Sequence, residues 1–156
     1  MKVQHIIWLS FLVFAFASCE RDVYNKMKEI PDADWQINDS YKFDVDIEDG
    51  SEFYDFYVLL RHNTDYLYSN AYFFITTTMP GDSISVDTVE FILATPEGQW
   101  IGNGNGFIRS HEIMISKQFM FPEAGLYTFE FNQAMRDTVL HGITDIGIRI
   151  CKSKMD

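Results

Sequence analysis

A chain of 156 residues with 23 Asp and Glu against 12 Lys and Arg carries a formal charge of −11. That balance repels phosphate backbones and anionic headgroups, which excludes nucleic acid as a partner, and the length suits one domain rather than several. Two cysteines are too few for the disulfide framework of a small secreted domain.

The first segment, MKVQHIIWLSFLVFAFASC, has Lys2 as a positive start, an apolar run from Ile6 to Phe16, and the small residues Ala17 and Ser18, the three parts of an export signal. The apolar run falls short of the roughly 20 residues that a membrane-spanning helix needs. Phe16-Ala17-Ser18-Cys19 resembles the bacterial lipobox, in which the cysteine receives a diacylglyceryl group before cleavage, with Phe standing where Leu is usual. Residues 1–18 are therefore expected to be a lipoprotein signal peptide and Cys19 the lipid-bearing first residue of the mature chain. Each buried methylene contributes about 0.8 kcal/mol and a single acyl chain holds only marginally, so the several chains on such a cysteine make the membrane the first expected partner. Residues 19–34 are charged, contain Pro31 and lack a sustained apolar period; they are expected to form a lipidated tether, with the folded domain at 35–156.

From Tyr41 the period becomes two. Tyr41, Phe43, Val45 and Ile47 alternate with Lys42, Asp44, Asp46 and Glu48, the pattern of a strand with one wet face. Its acidic residues are read as the solvated face of an edge strand rather than as a calcium loop, because alternate residues stand about 7 Å apart along a strand and calcium ligands usually come from a tight loop. Phe53 to His62 and Ala71 to Met79 are nearly continuous apolar runs and predict central strands. Pro80-Gly81-Asp82 and Thr95-Pro96-Glu97-Gly98 are turns on either side of further strand sequence from Ser83 to Leu93. Glu112 to Phe121, Leu126 to Phe131 and Ile143 to Ile150 complete the set, with Cys151 placed as a small hydrophobe at the end of the last strand. No 3.6-residue apolar period competes. The fold class is all-β: an antiparallel β-sandwich of about seven to nine strands, Greek-key or jelly-roll-like.

Chemistry-bearing motifs are sparse. Gly102-Asn103-Gly104-Asn105-Gly106 lacks the strand and helix context of a dinucleotide fingerprint and the Gly-Lys-Ser/Thr of a phosphate loop, and reads as a hairpin or bulge. His62, His111 and His141 lie in separate segments without metal-ligand spacing, so no metal and no cofactor is expected. No serine sits in a nucleophile-elbow context. The chain is expected not to be an enzyme. Aromatic residues reach 16 %, which core packing accounts for in a sandwich; Trp100 beside the glycines could alternatively form a stacking platform for a sugar or a partner protein.

An ordered series of blocks resembles the gliding motility lipoprotein GldH family of Bacteroidetes. It runs from Arg61-His62-Asn63-Thr64-Asp65-Tyr66 through Tyr68-Ser69-Asn70, Phe73-Phe74-Ile75-Thr76-Thr77-Thr78, Asp87-Thr88 and Leu93-Ala94 to Gly98-Gln99-Trp100-Ile101-Gly102-Asn103-Gly104. It continues with Gly125-Leu126-Tyr127-Thr128-Phe129-Glu130 and Gln133-Ala134-Met135-Arg136, and closes on Gly142-Ile143-Thr144-Asp145-Ile146-Gly147-Ile148-Arg149-Ile150. The resemblance implies an outer-membrane lipoprotein needed for surface motility, tied to the type IX secretion machinery, and working through contact with other gliding or secretion envelope proteins; the sequence does not choose the leaflet, and display toward the periplasm is the default expectation. Within the blocks, Arg61, Asn63, Asp65, Trp100 and Arg136 are the residues expected at a partner contact, since loop-borne polar groups and Trp or Arg anchors are common interface material. The competing reading is a carbohydrate-binding envelope lipoprotein.

Overall fold

The computed structural model describes residues 22–154; the signal peptide expected at 1–18 and the lipidation expected at Cys19 lie outside the described residues. Ten strands follow one another: β1 (Asp22–Glu29), β2 (Asp34–Gln36), β3 (Ser40–Ile47), β4 (Tyr54–Asn63), β5 (Asn70–Thr78), β6 (Ile84–Ile92), β7 (Ile108–Phe119), β8 (Gly125–Gln133), β9 (Val139–His141) and β10 (Ile143–Lys152). No helix among the described residues is long and apolar enough to cross a membrane.

Two four-stranded antiparallel sheets, ordered β1-β10-β4-β7 and β3-β8-β5-β6, face each other, and β2 pairs with β9 in a short ribbon. The pairing is nested: β1 with β10, β3 with β8, β4 with β7, and β5 with β6. A long hairpin folded on itself in this way is a jelly roll, which is the all-β sandwich expected from the alternation.

The alternation decides which side chains fill the interior. On β3, Phe43, Val45 and Ile47 are buried while Lys42, Asp44 and Asp46 are exposed. As expected, β3 is an edge strand with its acidic face to water, where Asp44 accepts a hydrogen bond from the Thr128 hydroxyl at 2.7 Å. Phe56 of one sheet meets Phe129 of the other at 4.9 Å, and Tyr54 meets Phe121 of the β7–β8 loop at 5.3 Å. Burying each such ring contributes about 1.5–3 kcal/mol relative to leaving it wet. Trp35, wholly buried, stands edge-on to Tyr41 at 4.9 Å and donates its indole N–H to the Asp39 carbonyl at 3.0 Å.

The segment 22–34 corrects the expected tether. Asp22–Glu29 is a strand, paired with β10 from Asp22↔Cys151 to Glu29↔Asp145, and a 3-10 turn at Pro31–Ala33 leads straight into β2. Its sequence hides this because an edge strand is held by main-chain hydrogen bonds on one side only and tolerates polar side chains on both faces. The carboxylate of Asp22 is also tied down, 2.7 Å from Arg149 Nε.

The registers define two ends. At the base, β1, β4, β6 and β8 begin and β3, β5, β7 and β10 end. The opposite, distal end gathers the loops 64–69, 93–107 and 134–138.

Candidate functional site

All five residues expected at a partner contact lie at the distal end, but they divide into two kinds. Arg61, Asp65 and Arg136 are exposed. Arg61 projects from β4 between Asp145 of β10 and Ser110 of β7. Asn63, by contrast, is a clasp: its N–H donates to the Gly142 carbonyl at 2.8 Å and its Oδ1 accepts from the Asp65 N–H at 3.0 Å. That side-chain turn sends the chain across the end of the sandwich. Gly142 has φ +96, and a Cβ there would press on the Tyr66 backbone and on Asn63 Oδ1 at 3.0 Å, so glycine is required for the approach. Trp100 is half-buried, with its ring 4.4 Å from the His62 ring and tilted 60° to it. It packs inward and does not lie flat on the surface, a placement that lends no support to a sugar platform.

Beneath these loops is a pair that sequence spacing conceals. His62 on β4 is fully buried and His111 on β7 is 8 % exposed, with their Nε2 atoms 3.0 Å apart. The Asn63 carbonyl, 2.8 Å from His62 Nδ1, can only accept. His62 therefore carries its proton on Nδ1, its Nε2 is an acceptor, and His111 donates Nε2–H to it. The chain requires His62 to be neutral, since its Nε2 accepts only while unprotonated. Burial pushes His62 down from its ordinary value, reinforced by the charge of Arg109 and partly offset by the Asn63 hydrogen bond. Burial, with His62 alongside, pushes His111 down to about 4. Gly102 makes room for the pair, since a Cβ there would stand 2.5 Å from His111 Nε2. Gly102→Ala is expected to displace the imidazole and cost about 2 kcal/mol, read as a lower urea midpoint with unchanged slope.

His141, the third histidine, is exposed and lies 2.6 Å from the Asp34 carboxylate across the β2–β9 ribbon. Among the described residues, no group of three His, Cys, Asp or Glu side chains is placed to hold a metal ion. Cys151 is buried on β10, as its apolar neighbourhood predicts.

A separate concavity lies elsewhere. A cleft of about 500 Å³ opens between the edge strands β6 and β7 toward the base, lined by Phe56, Ile75, Val89, Ile115, Phe121 and Phe129 among others. A predominantly apolar cleft of this size is adequate for an apolar guest.

The model of the GldH lipoprotein family matches residues 22–150, from the first strand into the last. The chain belongs to the GldH lipoprotein family. It is 32 % identical over 151 residues to the gliding motility lipoprotein GldH homolog of Christiangramia forsetii, covering 92 % of both chains. It is 28 % identical over 158 residues to the gliding motility lipoprotein GldH of Flavobacterium johnsoniae, covering 96 % of this chain and 98 % of that one. No solved structure matches. The GldH match begins at β1, so the strand mistaken for a tether is part of the family domain. The clasp and histidine residues His62, Asn63, Trp100, Gly102 and Gly142 all fall within it.

Proposed function

We propose that this chain is a non-enzymatic lipoprotein of the cell envelope, anchored through Cys19 in the outer membrane and facing the periplasm. It supports gliding motility and the type IX secretion machinery by protein contact. The observation that carries the reading is the alignment with the gliding motility lipoprotein of Flavobacterium johnsoniae along 96 % of this chain. The geometry supports a contact role: a packed jelly roll whose distal loops are clasped by Asn63 and the histidine pair presents Arg61, Asp65 and Arg136 to solvent. Rigid loops bearing exposed charged side chains cost little ordering entropy when they dock.

Deletion of the gene is expected to reduce surface spreading or type IX cargo export in its own host. A folded Arg61→Ala, Asp65→Ala, Arg136→Ala triple variant is expected not to restore it. Full restoration by the triple variant, or no defect on deletion, would remove the reading. Cys19→Ala is expected to abolish fatty-acid labelling and release the protein from membranes, while Cys151→Ala does neither.

A further inference from the structure

We propose that the base of the jelly roll is a membrane-docking face that rests on zwitterionic phospholipid, with the distal loops held at the far end of the sandwich. The inference rests on the Cys19 anchor proposed above and adds a surface to it. Only Glu20 and Arg21 separate Cys19 from β1. Three Cα steps span at most about 11 Å. The strand that follows is no leash, because β1 is paired with β10 along its length and its first residue is ion-paired to Arg149. The lipid attachment point is therefore confined to the neighbourhood of the base, where Asp22 starts β1.

That end carries the apolar side chains such a position calls for. Phe53 (38 % exposed), Ile84 (65 %), Met120 (48 %) and Leu126 (57 %) stand at the starts of β4, β6 and β8 and just past the end of β7. Their common level follows from the registers, Tyr54↔Phe119 in one sheet and Thr78↔Ile84 with Thr78↔Thr128 in the other. The apolar cleft reaches the same end through Met79, Met120 and Pro122. Exposed apolar groups also stand at the distal end, Leu67, Ile101 and Phe107 among them, so it is the anchor beside the base that assigns this patch to the membrane, where side chains of this kind bury themselves at the level of the headgroups. Charge selects the lipid. Glu48, Asp49, Asp82 and Glu123 are exposed on the loops of the same end, against Lys117 and Lys154, with Lys152 paired to Glu52; this acidic excess is one that an anionic headgroup layer would repel and a net-neutral one tolerates.

The experiment uses the full-length lipidated protein, reconstituted through its anchor into phosphatidylcholine vesicles with and without brominated acyl chains. Tryptophan is introduced singly as Met120→Trp, Leu126→Trp or, at the distal end, Phe107→Trp, over the native Trp35 and Trp100 of the mature chain. The fluorescence that the added tryptophan contributes in the two base variants is expected to be lost in brominated vesicles, while that of Phe107→Trp and of the native Trp35 and Trp100 is kept. Base tryptophans quenched no more than Phe107→Trp, in vesicles shown by mass to hold the acylated chain, would overturn the docking and leave the anchor standing. Absence of acyl mass at Cys19 would overturn both. Base tryptophans shielded from an aqueous quencher but untouched by brominated lipid would overturn the docking in favour of a second copy or another protein. Equally strong quenching in phosphatidylglycerol vesicles as the only lipid would overturn the charge selection.

Discussion

Gly147→Val is expected to peel β1 from the sheet. Gly147 lies on β10 between Met27 of β1 and Leu59 of β4. A Cβ at that position would run into the Lys26 carbonyl oxygen, and would stand 2.6 Å from Met27 Cγ and 2.8 Å from Met27 Cα. Main chain is among the atoms in the way, so a rotamer change cannot relieve the overlap and the strand itself must move. Overpacking of this kind costs about 3 kcal/mol, and the loss falls mainly on the edge strand, because β10, β4 and β7 keep their own ladders. Hydrogen exchange should show residues 23–29 losing protection while β4 and β8 retain theirs. Gly147→Ala should give the same pattern more weakly. Unchanged protection of β1 in the valine variant would contradict the close approach. The variant also bears on the membrane: it turns β1 into the flexible leash that the wild type lacks, so fatty-acid labelling should persist while the base tryptophans lose their quenching by brominated lipid.

The second large effect is a loss of stability in mild acid centred on the histidine pair. The ordinary histidine value is about 6.5, and His111 is pushed down to about 4 by burial and by His62. The unfolded chain therefore takes up the proton first as the pH falls, and the folded state is penalised. The contribution is fully present above about pH 6.5, declines as the pH falls through the window down to about 4, and changes no further below it. Integrated over that window the loss amounts to about 3 kcal/mol. The lowered value of His62 acts in the same direction. Urea melts at pH 7 and pH 4.5 measure the drop. His111→Gln keeps an N–H donor for His62 Nε2 and removes the titration, so its stability should fall less steeply than wild type over this interval. Parallel slopes would place the acid sensitivity in carboxylates instead.

The distribution of polar and apolar side chains along each strand determines what was readable in advance. In β3, β8 and β10 one face meets the opposing sheet, so Phe43, Val45 and Ile47, Tyr127, Phe129 and Phe131, or Ile146, Ile148 and Ile150, leave a period-two record. Strand β1 borrows its stability from the backbone of β10 and shows only Val23, Tyr24 and Met27 partly covered, while β2 and β9 are three residues each. None of these writes a pattern long enough to detect. The candidate site was legible in location more than in role. Arg61, Asp65 and Arg136 reach solvent at one end, whereas Asn63 and Trp100 support the loops from within. The histidine pair joins residues 49 positions apart, a closeness made by the β4–β7 pairing and signalled by no local motif. The same holds for Arg149, which reaches Asp22 on β1 at 2.7 Å and Glu112 on β7 at 2.5 Å and so ties the outer face of one sheet together.

Contact through the distal end is the central claim, and site-specific photocrosslinking in living cells tests it most directly. A photoreactive residue placed at Asp65 or Arg136 should form an adduct with a component of the gliding or type IX secretion apparatus, whereas the same residue at Met120 should form adducts with lipid. Distal probes that capture no such component, in cells where the protein is lipidated and motility is intact, would contradict it.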